Sequence, residues 1–169
     1  MPNPLYSILQ YYDNTQADRN AYASLVMAVS PHLTYSRLLY HLRNYANLTL
    51  LKHCDTVVGG CMLKHHRHTD LPHNWHSTLT KLTNREIPTL ELGYKVITAP
   101  AAGLGFSTLL SNLTITNHKS SPIFATCSPS DSKTYHTLTA LGFILHDTII
   151  NPRTTHTLYY LERPANAQS

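Results

Sequence analysis

The sequence predicts an α/β (α+β) fold, a mixed sheet with helices on its faces. Three observations predict it. Apolar residues recur at helical spacing in four separate segments, runs rich in β-branched and aromatic residues lie between them, and one strand passes through a glycine turn directly into a helix. The order that results is β-α-α-β-β-β-α-β-α-β-β. The chain's 169 residues fit one ordinary domain, taken here as 1–169. Apolar residues make up 42% and charged residues 13%, about half the ~25% of an average soluble protein, while His (12) and Tyr (11) take over part of the polar role. Such a composition excludes a disordered charged tail, a collagen-like chain and a disulfide miniprotein.

Leu5 to Tyr12 (L-Y-S-I-L-Q-Y-Y) reads as the first strand. Tyr22, Leu25, Val26 and Val29 form one apolar stripe at i, i+3, i+4, i+7. After Pro31 and a Thr34 N-cap, Leu38, Leu39, Leu42 and Tyr45 form a second. Leu48 to His53 and Thr56 to Leu63 read as a hairpin around Cys54-Asp55, where Gly59 and Gly60 point to a bulge or a close backbone approach. From about 65 to 88 the pattern breaks into a polar, His-rich insertion; loops of that length are commonly functional or mobile. Thr89 to Thr98 is a strong strand leading into P-A-A-G-L-G-F-S, and a helix follows with Phe106, Leu109, Leu110 and Leu113 on one face. Pro122 to Cys127 is a short apolar strand. Ser132 to Leu141 is a helix capped by Ser130 or Asp131 and stopped at Gly142. Phe143 to Ile150 and Thr157 to Leu161 close the chain as two strands around Asn151-Pro152.

The net charge of +4 comes from 13 basic and 9 acidic residues, scattered except for K-H-H-R-H (Lys64 to His68). A nucleic-acid binder usually gathers such charge in a stripe, so nucleic acid is not expected as the main partner. The three cysteines, Cys54, Cys61 and Cys127, form no C-x-x-C pair and read as small buried hydrophobes of a reducing compartment. The N-terminal residues lack a signal-peptide pattern and no run approaches the ~18 apolar residues of a membrane span, so a cytoplasmic protein without a membrane partner is expected.

Most of the chemistry is concentrated between Glu91 and Leu110. A strand ending in G-x-G at the mouth of a helix presents unpaired backbone N–H groups at the positive end of the helix dipole, a seat for phosphate or pyrophosphate; the other reading is a tight turn with no ligand. A dinucleotide-binding fingerprint requires a third glycine, and Gly103-Leu104-Gly105 is followed by Ser107 and Thr108, so that reading fails.

Two motifs in order resemble the GNAT N-acyltransferase superfamily. E-L-G-Y-K-V-I-T-A-P-A-A-G-L-G-F-S-T-L-L (Glu91 to Leu110) is similar to its central strand, pyrophosphate loop, (Arg/Gln)-x-x-Gly-x-(Gly/Ala), and following helix. D-S-K-T-Y-H-T-L-T-A-L-G-F (Asp131 to Phe143) is similar to its N-x-x-(Ala/Ser)-x-x-x-(Tyr/Leu)-x-x-x-Gly-Phe segment. The resemblance runs from about Tyr6 to Leu161, leaving out the His-rich insertion. It implies a mostly antiparallel central sheet with helices on both faces and transfer of acetyl from acetyl-CoA, as co-substrate, to a primary amine. The loop Ala102, Gly103, Leu104, Gly105, Phe106 and Ser107 would hold the pyrophosphate, the backbone of Val96 and Ile97 the pantetheine arm, and Asp131 stands at the motif's asparagine. Ala102 occupies the loop's Arg/Gln position, leaving backbone contacts alone there, and Leu138 occupies the position where many members carry a thiolate-protonating Tyr.

Glu91, between Leu90 and Leu92, matches a position that serves as base in several branches; burial would raise its pKa and suit it to that role, and a structural brace is the other reading. Tyr135 is the candidate donor in place of Leu138, ahead of His136, and equally reads as a core aromatic. His65, His66, His68, His73 and His76 suit a metal by ligand chemistry, but no acidic or Cys ligand shares a regular spacing with them, so no metal site is assigned and the insertion reads as a polar loop or a cover for the acceptor pocket, with Trp75 as a wall. Ala102 and Leu138 leave open a non-catalytic acyl-CoA sensor or interaction module; transfer to a nucleic acid such as aminoacyl-tRNA is the weaker alternative. A homodimer is compatible with either.

Overall fold

The structure, a computed structural model, describes residues 6–10, 13–66, 88–151 and 154–165. In order these are β1 (Tyr6–Leu9), α1 (Gln16–Val29), α2 (Tyr35–Arg43), β2 (Tyr45–His53), β3 (Thr56–His65), β4 (Leu90–Ile97), a short 3₁₀ turn (Ala99–Ala101), α3 (Phe106–Thr116), β5 (Ile123–Cys127), α4 (Ser132–Ala140), β6 (Ile144–Ile150) and β7 (Thr157–Arg163). The strands lie in the order β1-β2-β3-β4-β5-β7-β6. The β4–β5 pair is parallel, whereas β1–β2, β2–β3, β5–β7 and β6–β7 are antiparallel. This is the mixed, helix-flanked sheet that the sequence predicts. Residues divide into two compact units, one of 1–64 and 93–117, the other of 65–92 and 118–169.

In the first unit α1 and α2 cover one sheet face. Tyr22, Val26, Leu38 and Leu42 pack there with Leu48, Leu50, Met62 and Val96. The end of the predicted α1 stripe turns outward, and Val29 is exposed. α1 starts with a reciprocal capping box. The Thr15 hydroxyl accepts from the Asp18 N–H at 3.1 Å, and the Asp18 carboxylate accepts from the Thr15 N–H at 3.1 Å. Lys52 Nζ from β2 reaches the other Asp18 oxygen at 3.1 Å, pinning the helix start to the sheet. Thr34 has an N-cap's extended backbone, but its hydroxyl bonds no backbone N–H and instead lies 3.3 Å from Ser36 Oγ.

The opposite face receives α3, on a different stripe from the one predicted. Its buried side is Leu110, Ser111, Thr114 and Ile115, while Leu109 is 41% exposed. The hydroxyls make this possible: Ser111 and Thr114 donate to the carbonyls of Ser107 and Leu110 at 2.9 and 2.7 Å, so short polar side chains bury without orphaned donors. Asn47 Nδ2 donates to the Thr114 carbonyl at 2.8 Å. Cys61 is buried against Ser111, and burial pushes its thiol up. Cys54, expected inside, is exposed, because the hairpin reverses at Cys54-Asp55 and gives it a left-handed φ of 54°. Gly59 and Gly60 answer to both readings offered for them. The β2–β3 register shifts between Leu51 and Lys52, and a Cβ on Gly60 would stand 2.8 Å from Tyr22 and Leu50.

In the second unit α4 is capped by Asp131, whose carboxylate accepts from the Thr134 N–H at 3.0 Å. It ends at Gly142 (φ 85°), with the Phe143 N–H returning to the Leu138 carbonyl at 3.1 Å. Its buried residue is Leu138.

Burial opposes ionisation of Asp18, but the Thr15 bonds and the Lys52 ammonium outweigh it and hold the carboxyl below its ordinary value of 3.8. Stability from a lowered carboxylate pKa is present above the unfolded value and lost as pH falls through the folded one. Asp18→Asn is therefore expected to cost about 1–2 kcal/mol at neutral pH. Denaturant titrations should show that gap closing as pH falls below 3.8; a gap unchanged under strongly acidic conditions would assign the loss elsewhere.

Candidate functional site

The residues singled out by sequence fall into two groups, each within one unit. In the first, β4 runs through Val96 and Ile97 into the 3₁₀ turn, the loop and α3. Val96 is buried in the α1–α2 face. Ala102, Gly103, Leu104 and Gly105 are exposed, and Phe106 and Ser107 half-buried. Gly103 and Gly105 both adopt left-handed backbone, φ 80° and 81°, and an added Cβ at either would meet nothing within 4 Å. The glycines are required by conformation, since other residues adopt this region at a cost of about 1–2 kcal/mol. Gly105 is the N-cap of α3 and offers no side-chain acceptor, so the first-turn N–H groups of Phe106, Ser107 and Thr108 have no intrahelical partner. Eleven residues of aligned helix stand behind them.

Tyr94, in the same strand, has φ 49°, rare for a bulky residue and typical of sites where backbone strain serves a purpose. Its carbonyl accepts from the Tyr22 hydroxyl at 2.5 Å. Its ring packs edge-on with His41, and Lys64 Nζ lies 4.1 Å from its centroid. Burial pushes the Tyr22 phenol well above its ordinary value, which keeps it a donor.

In the second unit, β4 pairs β5 through Leu90↔Ile123 and Glu91↔Phe124, and β5 pairs β7 through Phe124↔Glu162. Residues opposite one another share a face, so Glu91, Phe124, Tyr160 and Glu162 line one side. Glu91 is half-buried. Its Oε2 is in direct contact with Nε2 of His66, a residue only 6% exposed. The His66 N–H donates to the Thr89 carbonyl at 2.6 Å, and its ring packs on Phe124 at 5.4 Å. Phe124 stacks on Tyr160, whose hydroxyl donates to Glu162 Oε1 at 2.8 Å.

Tyr135 lies on the other face, edge-on to Tyr159 at 5.5 Å. Glu91 and Tyr135 are thus not brought together, and Asp131 is engaged in capping. His136 is exposed, as is His65, while His66 is committed to Glu91. The remaining histidines of the metal reading, His68, His73 and His76, lie with Trp75 outside the described residues. By sequence His66 reads as a metal ligand or as part of a polar, His-rich loop, not as a partner of Glu91. Its contact with Glu91 depends on the strand pairing that joins 66 to 89 across the insertion, which no local pattern encodes.

No protein-family model matches the chain, and no curated protein is similar to it. Solved structures are. One of yncA from Salmonella typhimurium with acetyl-CoA is similar over 98% of this chain and 96% of that one (TM-score 0.69, 12% identity). FeeM, an N-acyl amino acid synthase from uncultured soil microbes, is similar over 96% and 93% (TM-score 0.68, 11% identity). Arabidopsis thaliana Naa50 in complex with a CoA–peptide bisubstrate analogue is similar over 94% and 97% (TM-score 0.66, 14% identity). The chain has the fold of the GNAT N-acetyltransferase superfamily. Among the described residues no helix is long and apolar enough to cross a membrane.

If left-handed backbone is what the loop demands, Gly105→Ala should lose about 1–2 kcal/mol in denaturant titrations, and Gly105→Asn less, because Asn tolerates that region. Equal losses would refute the conformational account.

Proposed function

We propose that the protein is an acyl-CoA-dependent N-acyltransferase that moves acetyl from acetyl-CoA to a primary amine by direct attack. The observation that carries this reading is the loop. Two left-handed glycines at the N-terminus of an eleven-residue helix, directly after β4, turn several backbone N–H groups toward an anion, on a fold whose solved neighbours include structures with acetyl-CoA or a CoA analogue bound. With Ala102 exposed and unable to donate, the backbone from Gly103 to Ser107 would hold the pyrophosphate, and the backbone of Val96 and Ile97 the pantetheine arm. Open space beside both glycines fits such a ligand.

Two proton events are required. The acceptor ammonium loses a proton before its nitrogen can attack, and the departing thiolate gains one. Glu91 takes the first role, as the carboxylate on the strand that also carries Val96 and Ile97. The second role is left without an assigned donor: Leu138, at the position expected from the resemblance, is buried and has no proton to give, and Tyr135, the candidate in its place, packs on Tyr159 on the face opposite Glu91. A non-catalytic acyl-CoA sensor on the same fold is the second reading, favoured by Ala102 and Leu138. A cytoplasmic setting and an amine acceptor complete the proposal.

Calorimetry with acetyl-CoA is expected to show binding; none at high micromolar ligand would defeat the enzyme and sensor readings alike. With a panel of amines, thiol release should follow. Glu91→Gln should lower kcat by about 10²–10⁴-fold while acetyl-CoA affinity is retained. Tight binding without thiol release would establish the sensor.

A further inference from the structure

The glycines that free the loop also leave it with little support of its own, and one side chain from another element bridges its two ends. We propose that Tyr6 of β1 is a positioning residue for acyl-CoA binding, holding the loop from Gly103 to Ser107 in its anion-accepting shape before the ligand arrives; this rests on the reading of that loop as the pyrophosphate seat. A Cβ at Gly103 or Gly105 would meet nothing within 4 Å, and Leu104 between them is 59% exposed, so packing within the loop does little to fix these residues. Glycine has the most backbone freedom to lose on ordering. An anion that had to order the loop itself would bind more weakly by that cost.

Tyr6 meets both ends of the loop. Its hydroxyl lies 3.4 Å from the carbonyl of Pro100, in the 3₁₀ turn that enters the loop, a long hydrogen bond. Its ring packs at 4.7 Å on the ring of Phe106, the first residue of α3. The ring contact is the stronger of the two. On its other side the same ring tilts against His53 at 5.0 Å, the residue opposite Tyr6 in the β1–β2 pair. Strand register fixes where that ring stands, since Tyr6 to Leu9 pair in order with His53 to Leu50. Tyr6 is 36% exposed and little of the core rests on it, so its contacts serve the loop more than the fold. Held at Pro100 and at Phe106, the two flanks keep a set separation, and the two left-handed glycines between them have fewer conformations to choose from.

The test separates loop order from overall stability. In ligand-free protein the backbone amide order parameters from NMR relaxation should lie near the rigid level of about 0.85 from Gly103 to Thr108, and Tyr6→Leu should lower them toward about 0.6, with those of β2 and β3 unchanged. Phe106→Leu removes the same ring contact from the helix side, should act likewise, and decides the matter if Tyr6→Leu fails to fold. Order parameters that are already low in the wild type, that do not move, or that fall equally across β2 and β3 overturn the proposal. By calorimetry, Tyr6→Leu should weaken acetyl-CoA binding about three- to tenfold, the worth of one aromatic pair. Tyr6→Phe, which keeps the ring, should restore most of that affinity. An unchanged affinity in Tyr6→Leu, or a Tyr6→Phe variant as weak as Tyr6→Leu, overturns the proposal too. Where an amine is turned over, the loss should appear in KM for acetyl-CoA with kcat unchanged, and a loss confined to kcat counts against Tyr6. A wild type that binds no acetyl-CoA would defeat the acyl-CoA reading, and the order parameters of the ligand-free protein would then decide by themselves whether Tyr6 holds the loop.

Discussion

The first unit depends on one backbone carbonyl. Tyr94 departs from the regular strand at φ 49°, and its carbonyl is taken up by the Tyr22 hydroxyl at 2.5 Å. The hydrogen bond to this half-buried carbonyl is worth about 0.5–1.5 kcal/mol, and left-handed backbone at a tyrosine costs about 1–3 kcal/mol. The bond offsets part of that cost because α1 delivers a fully buried phenol to that spot. The phenol fits because Gly60 has no Cβ; one would lie 2.8 Å from the Tyr22 ring. Three residues far apart in sequence therefore stand or fall together, and with them the course of β4 into the loop that precedes α3.

A chain with few charges uses several of them indoors. Asp18 is bound by the Thr15 cap and Lys52, Lys64 lies over the Tyr94 ring, His66 meets Glu91, and Glu162 accepts from Tyr160. Asp18, Lys64, His66 and Glu162 are all buried. Buried charges add little net stability, since desolvation offsets the attraction, but removing one partner strands the other. Three of these contacts join segments distant in sequence, Asp18 to Lys52, Lys64 to Tyr94 and His66 to Glu91, while Glu162 and Tyr160 are neighbours on β7.

Local chemistry made much of the fold legible. Gly142 stops α4 and Asp131 caps it, as the turn and cap rules require, and all seven strands and four helices occur in the predicted order. Faces were less legible than elements. The apolar spacing in α3 points to Phe106, Leu109, Leu110 and Leu113; of these Leu110 is buried, but its companions are Ser111, Thr114 and Ile115, because hydroxyls that bond their own helix need no external partner and let it approach β2 closely. Cys54 looked like a core residue by type, and the hairpin turn placed it outside.

The same division holds for the candidate site. The sequence by itself determined the glycine loop, the helix behind it and the carboxylate on β4, because each depends on backbone conformation or strand alternation over a few neighbouring residues. Only the tertiary structure decided that Glu91 is paired with His66, that Tyr135 lies on the opposite face, and that Tyr94 is left-handed under the Tyr22 hydroxyl. These features depend on strand register across long separations and on the requirement that every buried polar group find a partner. Both are satisfied by whichever residues the packing brings into reach, so no local spacing announces them.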